Sequence, residues 1–270
     1  MMFRYDGQRV VITGASSGMG AATAKGLTEL GAEVHALDVR EVTVPGVKSY
    51  ETDVGDPAAV DAALDAIGAP VHKVFNVAGV PQTHPPARVF AVNFLGLRHL
   101  TERVLPLMSS GGAVASVASL AGMGWQAHLE TINGVLDLPD FDAGVAWAAE
   151  HLDAQGDPYF FSKECVIVYT FRLAARLARD PGIRVNCVSP GPVDSPMMVD
   201  FRAALSSATI DWTASQANGR LGRPEEMAPP LLFLNSDDAS YVSGHNLLAD
   251  AAFTAAMTTG QVDLTSLPAG

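Results

Sequence analysis

Residues 9–20 read RVVITGASSGMG. A short apolar strand, Arg9–Thr13, runs into a glycine-rich turn, Thr13-Gly14-Ala15-Ser16-Ser17-Gly18-Met19-Gly20. The turn opens an alanine-rich helix over Met19–Leu30, which stops at Gly31, a glycine suited to a helix C-terminus. The order of these pieces matters more than the glycines alone. A turn between a buried strand and a helix start presents free N–H groups and the positive end of the helix dipole to an anion. Gly14 permits the tight turn, Gly18 lets the backbone approach a pyrophosphate, and Gly20 lets the helix pack close to the strand. Ser16, Ser17 and Met19 complete the expected contact surface.

The same alternation continues outward along the chain. Strands are expected at Glu33–Asp38, Lys48–Asp53, Lys73–Val77, Gly112–Val117, Arg184–Ser189 and His245–Ala249. Helices are expected over Pro57–Ile67, about Arg88–Met108, about Tyr159–Ala178 and from near Pro224. Run-like apolar strands alternating with helices predict a Rossmann-type, doubly wound parallel β-sheet flanked by helices, an α/β fold. No linker or repeat divides residues 1–270, so one domain is expected. In such sheets ligands bind beyond the carboxyl ends of the strands.

Composition narrows the function. Apolar residues are 48% and charged residues 17%, enough for a substantial core. Twenty-nine acids against seventeen bases give a net charge of −12, which argues against nucleic acid and anionic membrane surfaces as partners. The N-terminus lacks the pattern of a signal peptide, and no apolar run approaches the roughly 18 residues of a membrane span. Cys165 and Cys187 form no metal spacing and fit a reduced, cytoplasmic compartment. The seven histidines fall in no metal-ligating pattern, so no metal is expected.

Asp38 ends the second strand, 18 residues after Gly20. A carboxylate there can accept hydrogen bonds from both hydroxyls of an adenosine ribose and would repel a 2′-phosphate, which points to NAD. Arg40 is a counterweight, because an arginine can meet that phosphate. Asp53 and Val54 follow the third strand and are candidates for the adenine edge, with capping of the next helix as the alternative for Asp53.

Tyr159-Phe160-Phe161-Ser162-Lys163 sets a tyrosine and a lysine four apart, on one face of a helix. A free phenol has a pKa near 10, and a neighbouring ammonium can lower it by about 1–3 units. The phenol then serves as acid or base, a role worth on the order of 10²–10⁴ in rate.

Taken together these motifs resemble the short-chain dehydrogenase/reductase family, in the family's order and over nearly the whole chain. TGxxxGxG corresponds to Thr13–Gly20, and NNAG to Asn76-Val77-Ala78-Gly79 with Val77 in place of an asparagine. Asn93 in VNFLG, Ser119 in SVASLAG, YxxSK at Tyr159–Lys163 and Pro190-Gly191 complete the set. The resemblance implies NAD-dependent hydride transfer between an alcohol and its carbonyl. Tyr159 would exchange the proton and Ser119, preferred over Ser116, would hydrogen-bond the substrate oxygen. Lys163 would lower the tyrosine pKa and bind the nicotinamide ribose, and Asn93 would hold a water in a proton relay. Asn76, Ala78 and Gly79, with Pro190, Gly191, backbone near Val193, and Ser195, would line the cofactor's path.

Two departures refine this picture. The gap from Gly79 to Asn93 is short for the family, while Ser119 and Tyr159 lie 40 residues apart, well beyond its usual spacing. The insertion, about residues 125–158, carries seven acids and no Lys or Arg. Val145, Ala148 and Leu152 fit one helical face of it. It is expected to form either a wall of the substrate site or a subunit-interface element. Deletion and insertion together are similar to bacterial 3α-hydroxysteroid dehydrogenase/carbonyl reductases and to coniferyl-alcohol dehydrogenases. NVAGVP, VNFLGLRHLTE and CVSPGPVDSP look closest to the latter. Both imply a ring-containing, apolar alcohol, with Trp125 near the site and Met197, Met198, Phe201, Leu205 and Trp212 in a lid over about residues 196–222. A homodimer or homotetramer is expected. A non-catalytic NAD(H)-binding regulator and a nucleotide-sugar epimerase or dehydratase are the rival readings.

Overall fold

The computed structural model describes residues 3–179 and 182–268. In chain order, β1 is Arg9–Thr13, α1 Gly18–Glu29, β2 Glu33–Asp38, β3 Val47–Glu51, α2 Pro57–Ile67 and β4 Val71–Asn76. Then come α3 (Pro86–Phe90), a π-helical segment (Ala91–Gly96) and α4 (Leu97–Val104), followed by β5 (Met108–Val117). The insertion forms α5 (Leu129–Leu136) and α6 (Phe141–His151), and α7 spans Pro158–Leu177. β6 is Arg184–Pro190, α8 Met198–Leu205, α9 Ser207–Ser215, α10 Pro224–Asn235, β7 Asn246–Ala249 and α11 Phe253–Thr258.

All seven strands run parallel in the order β3-β2-β1-β4-β5-β6-β7. The order reverses direction between β1 and β4, which opens the crevice where doubly wound sheets bind ligands. Successive β1 residues point to opposite faces. Val11 joins the core under α2, α4 and α7, while Val10 and Ile12 join the core under α1 and α10. The ladder aligns Thr13 with Asn76, Asn76 with Ser116, and Ser116 with Cys187. Catalytic groups must therefore come from residues just past this row.

Local chemistry explains several boundaries. Asp56, not Asp53, caps α2 through Ala58 and Ala59 N–H groups, and proline follows at the first turn. Asp157 caps α7 through the N–H groups of Tyr159 and Phe160, again with a proline behind it. The cap places the start of α7, and hence Tyr159.

Three expectations are corrected. The long helix expected from Arg88 begins at Pro86 and carries the π-helical segment, so Asn93 does not sit in regular α-helix. Met108 belongs to β5, which starts four residues before the expected Gly112. In the insertion, Val145 is exposed; the buried face of α6 consists of Gly144 and Ala148, followed by Leu152. Gly144 leaves room there for the Leu95 side chain, which a Cβ would force to shift.

The insertion lies against the helices that carry Asn93 and Tyr159. Trp147 stacks on Phe161 of α7, centroids 5.8 Å apart at 19°, and its ring also lies 5.9 Å from Phe90. His128 Nδ1 and Glu164 Oε2, 2.6 Å apart, join the segment before α5 to α7. No insertion residue lines the main cleft.

Candidate active site

A cleft of about 790 Å³ runs across the carboxyl ends of the strands. Its first part is built by the turn after β1. Gly14 takes φ +72°, and a Cβ there would come 2.6 Å from Ala78 Cα. A Cβ on Gly20 would overlap the Gly14 carbonyl, so the helix approaches the strand as closely as the sequence suggested. Thr13 Oγ1 accepts from the backbone N–H groups of Val77 and Ala78 at 3.1 and 3.0 Å, binding the ends of β1 and β4 together. Ser17, the residue before α1, makes no side-chain cap. The first N–H groups of α1 thus remain available to an anion in the cleft.

Asp38 is buried at the end of β2. Its Oδ2 accepts from the Ser16 N–H at 2.9 Å and its Oδ1 from the Arg40 N–H at 3.0 Å. The carboxylate so fixed lines the cleft, with lone pairs left for further donors. Arg40 turns back to donate to Ser17 Oγ at 3.1 Å. Asp53 also lines the cleft, but its Oδ1 accepts from Gly55 N–H and its Oδ2 pairs with Arg88 at 2.8 Å. The Gly14, Gly18 and Gly20 cradle, the uncapped start of α1 and the Asp38 carboxylate together fit a dinucleotide.

The second part lies past β5, β6 and α7. The Ser119 hydroxyl accepts from Ala121 N–H at 3.1 Å and lies near enough to the Tyr159 hydroxyl to favour its ionised form. Lys163 Nζ lies 5.6 Å from the Tyr159 ring centroid and donates to the Val117 carbonyl at 2.8 Å. Both side chains are buried. Burial pushes the phenol up to about 12 against the opposing pull of the nearby Ser119 hydroxyl, with the Asp157 carboxylate adding to the rise. Burial also pulls the ammonium down to about 8. The expected depression of the phenol by its lysine is not present in the chain alone, where burial is the largest influence on it.

Of the sixteen cofactor positions expected from the sequence besides Tyr159 and Lys163, fourteen line the cleft. Ser17, Gly18, Met19, Val54, Ala78, Gly79, Pro190, Gly191, Val193 and Ser195 all line the cleft. Ser16, Asn76 and Asn93 do not. Ser16 acts through its N–H on Asp38. Asn76 donates to Thr101 and Ser116 at 3.0 and 3.2 Å inside the core, which also removes Ser116 from the cleft. Asn93 holds both the N–H and the carbonyl of Val80, at 2.8 and 3.0 Å, and reaches Ser162 Oγ at 3.4 Å. Its side chain anchors the loop after β4 to α7.

The lid contributes Met197, Met198, Phe201 and Leu205 to the cleft. Trp125 and Trp212 are not part of it. Trp125 packs edge-on against Phe171, and Trp212 packs against Phe253 while its indole N–H donates to Ser266. The sequence reading missed Phe160, His84, Asp200 and Phe253, which all line the cleft. Phe160 sits beside Tyr159 in the motif and was the most visible of these. The other three lie in segments whose course no local pattern reveals.

Comparison with known proteins agrees with this geometry. The family model described as short chain dehydrogenase matches residues 8–130, and that described as Enoyl-(Acyl carrier protein) reductase matches residues 146–254. A coniferyl-alcohol dehydrogenase from Pseudomonas sp. (strain HR199 / DSM 7063) is 31% identical over 246 residues, covering 90% of this chain and 95% of the relative. A 3-alpha-hydroxysteroid dehydrogenase/carbonyl reductase from Comamonas testosteroni is 30% identical over 264 residues, covering 93% and 98%. The solved 3-alpha-hydroxysteroid dehydrogenase from Pseudomonas sp. B-0831, complexed with NADH, superposes with a TM-score of 0.76 at 26% identity, covering 93% of this chain and 99% of that one. With a parallel seven-stranded sheet, a glycine cradle at its switch point and relatives matched over almost their full length, this chain belongs to the short-chain dehydrogenase/reductase family of oxidoreductases.

Proposed function

We propose that the chain interconverts an apolar, ring-containing alcohol and its aldehyde or ketone with NAD as the hydride carrier. An aromatic alcohol such as coniferyl alcohol, or a hydroxysteroid, has the right character. The observation that carries this reading is the Tyr159 phenol at the cleft wall, beside the Ser119 hydroxyl and with Lys163 beneath its ring. Asp38, which repels a 2′-phosphate, supports NAD over NADP.

When bound, the nicotinamide supplies or accepts the hydride. The chain supplies position and a proton. Tyr159 Oη holds a proton at neutral pH, ready for a carbonyl oxygen during reduction, and must release it during oxidation. Ser119 Oγ fixes that oxygen beside the phenol and stabilises its developing charge. Lys163 supplies positive charge that favours the phenolate when oxidation requires it. Asn93 positions the loop of Val80, which lines the same cleft. Met197, Met198, Phe201 and Leu205 exclude water and hold an apolar body.

The insertion covers part of α3, the π-helical segment and α7, so a homodimer or homotetramer would meet through another face. The two free, buried cysteines support a cytoplasmic setting.

The test is Tyr159→Phe, assayed on a panel of monolignol, steroid and simple aromatic alcohols by NADH absorbance. Turnover should fall at least about 10²-fold while NADH binding is retained. Full activity in the variant would sink the proposal.

A further inference from the structure

The charges around the cleft are unevenly placed. Asp38, Arg40, Asp53 and Arg88 all gather at the ends of β2 and β3, and each is engaged there. The half of the cleft past β5, β6 and α8 holds two charged side chains, Lys163 and Asp200. Lys163 lies beneath the Tyr159 ring, with its ammonium on the Val117 carbonyl. Asp200 stands on α8, half-buried, one residue before Phe201. Its Oδ1 accepts from Thr83 Oγ1 at 3.0 Å, which fixes the carboxylate between the lid and the loop after β4. Arg202, the nearest cation along α8, is paired with Asp211 at 2.7 Å and does not line the cleft. His84 lines the rim but is exposed, where water screens any charge it carries.

The geometry points to Asp200 as a specificity-determining residue that makes this an enzyme for uncharged substrates. This rests on the ring-substrate reading above and narrows it. A substrate carboxylate in this half would lose its hydration, find among the described residues no cation but the Lys163 ammonium held on the Val117 carbonyl, and meet a like charge at Asp200. A neutral ring of the same shape loses nothing comparable. Ring alcohols bearing an acid group are thereby rejected, and alcohols bearing hydroxyl, methoxyl or alkyl groups are accepted.

A matched pair of unreactive rings tests the assignment without turnover. The NADH-loaded protein is titrated calorimetrically with 2-naphthamide and with 2-naphthoate. The amide should bind about tenfold more tightly, the order expected for one like-charge contact in a half-screened site. Desolvation alone penalises the acid in any apolar cleft, so the decisive measurement is Asp200→Asn, which keeps an acceptor for Thr83. In that variant the gap should close to within about threefold. Raising the salt concentration on the unaltered protein should narrow the gap in the same direction, and requires no variant to fold. Equal binding of acid and amide, a gap that survives Asp200→Asn, or a gap that salt leaves unmoved overturns the assignment while leaving the ring-substrate reading intact. NADH binding with neither ring bound overturns both.

Discussion

The ring of Phe201 stands edge-on to the ring of Tyr159, with centroids 5.1 Å apart and planes at 74°. A residue of the lid thus touches the group that would carry the proton. Edge-to-face aromatic pairs are worth about 0.5–1.5 kcal/mol beyond their buried area. The contact therefore couples the lid to the orientation of the phenol.

Phe201→Ala should separate binding from chemistry. Removing the ring widens the cleft and frees one side of Tyr159. KM for ring-containing alcohols should rise about tenfold, from roughly 1.4 kcal/mol of lost contact, while a short aliphatic alcohol is affected far less. Steady-state kinetics on the two alcohols check this. An equal loss on both would mean that Phe201 serves the tyrosine and not the substrate.

Asp38→Ala should erode the preference for NAD over NADP. The substitution removes the charge that repels a 2′-phosphate and leaves the Arg40 guanidinium, now at Ser17, beside the vacated space. The ratio of kcat/KM for the two cofactors should shift at least about tenfold toward NADP. Because Asp38 also holds the Ser16 and Arg40 N–H groups, some loss of affinity for both cofactors is expected as well. An unchanged ratio would refute the ribose role.

The sequence made the sheet and the cradle legible because both rest on local pattern. Thr13–Gly20 needs only a strand, a turn and a helix in succession, and each is written in adjacent residues. Asn76 shows where this fails. Its place in a motif suggested the cofactor, but the motif says nothing about rotamers, and the side chain lies in the core between Thr101 and Ser116. Val145 fails for another reason. Residues 145, 148 and 152 keep helical spacing, yet tertiary contact chose the neighbouring stripe, where Gly144 admits Leu95. Asp200 and Thr83 are 117 residues apart, and no spacing rule joins them. The phenol's rise to about 12 was likewise out of reach, since burial is a property of the packed chain.

Lys163→Met should make the cofactor-free protein more stable at neutral pH while destroying activity. The folded lysine has a pKa of about 8, below its ordinary 10.5, because burial penalises the ammonium. The folded state therefore binds fewer protons than the unfolded state between those values, and stability of the unaltered protein rises with pH across that window. Below pH 8 the full cost is present, about 3 kcal/mol from the shift. Methionine removes that cost but leaves the Val117 carbonyl without its donor, which returns about 1–2 kcal/mol. The net gain should be about 1–2 kcal/mol at pH 7 and should fade as pH approaches 10.5. Urea unfolding at several pH values measures it. A variant that is less stable at pH 7 would show that the lysine's hydrogen bond outweighs its desolvation.

Ala252→Gly should stabilise the fold through the backbone alone. In Asp250-Ala251-Ala252 both alanines adopt positive φ, 51° and 71°. A left-handed conformation costs an L-residue roughly 1–2 kcal/mol, which glycine avoids. The conformation is imposed by Asp250, whose Oδ1 accepts from the Ala252 N–H at 3.1 Å and whose Oδ2 accepts from the Thr254 N–H at 2.8 Å. Those bonds use only backbone donors, so glycine keeps them. Ala252 is exposed, and its methyl group contributes little packing. Against the gain stands the greater freedom of glycine in the unfolded chain, about 0.5–1 kcal/mol. The balance should be a stabilisation of about 0.5–1 kcal/mol, read as an increase in the urea midpoint at unchanged slope. Phe253, next in the chain, lines the cleft, so the same variant should leave KM for ring alcohols within about twofold if the turn keeps its shape. A lower midpoint would mean that the alanines relax out of the left-handed region at little cost, and that Asp250 does not hold them there.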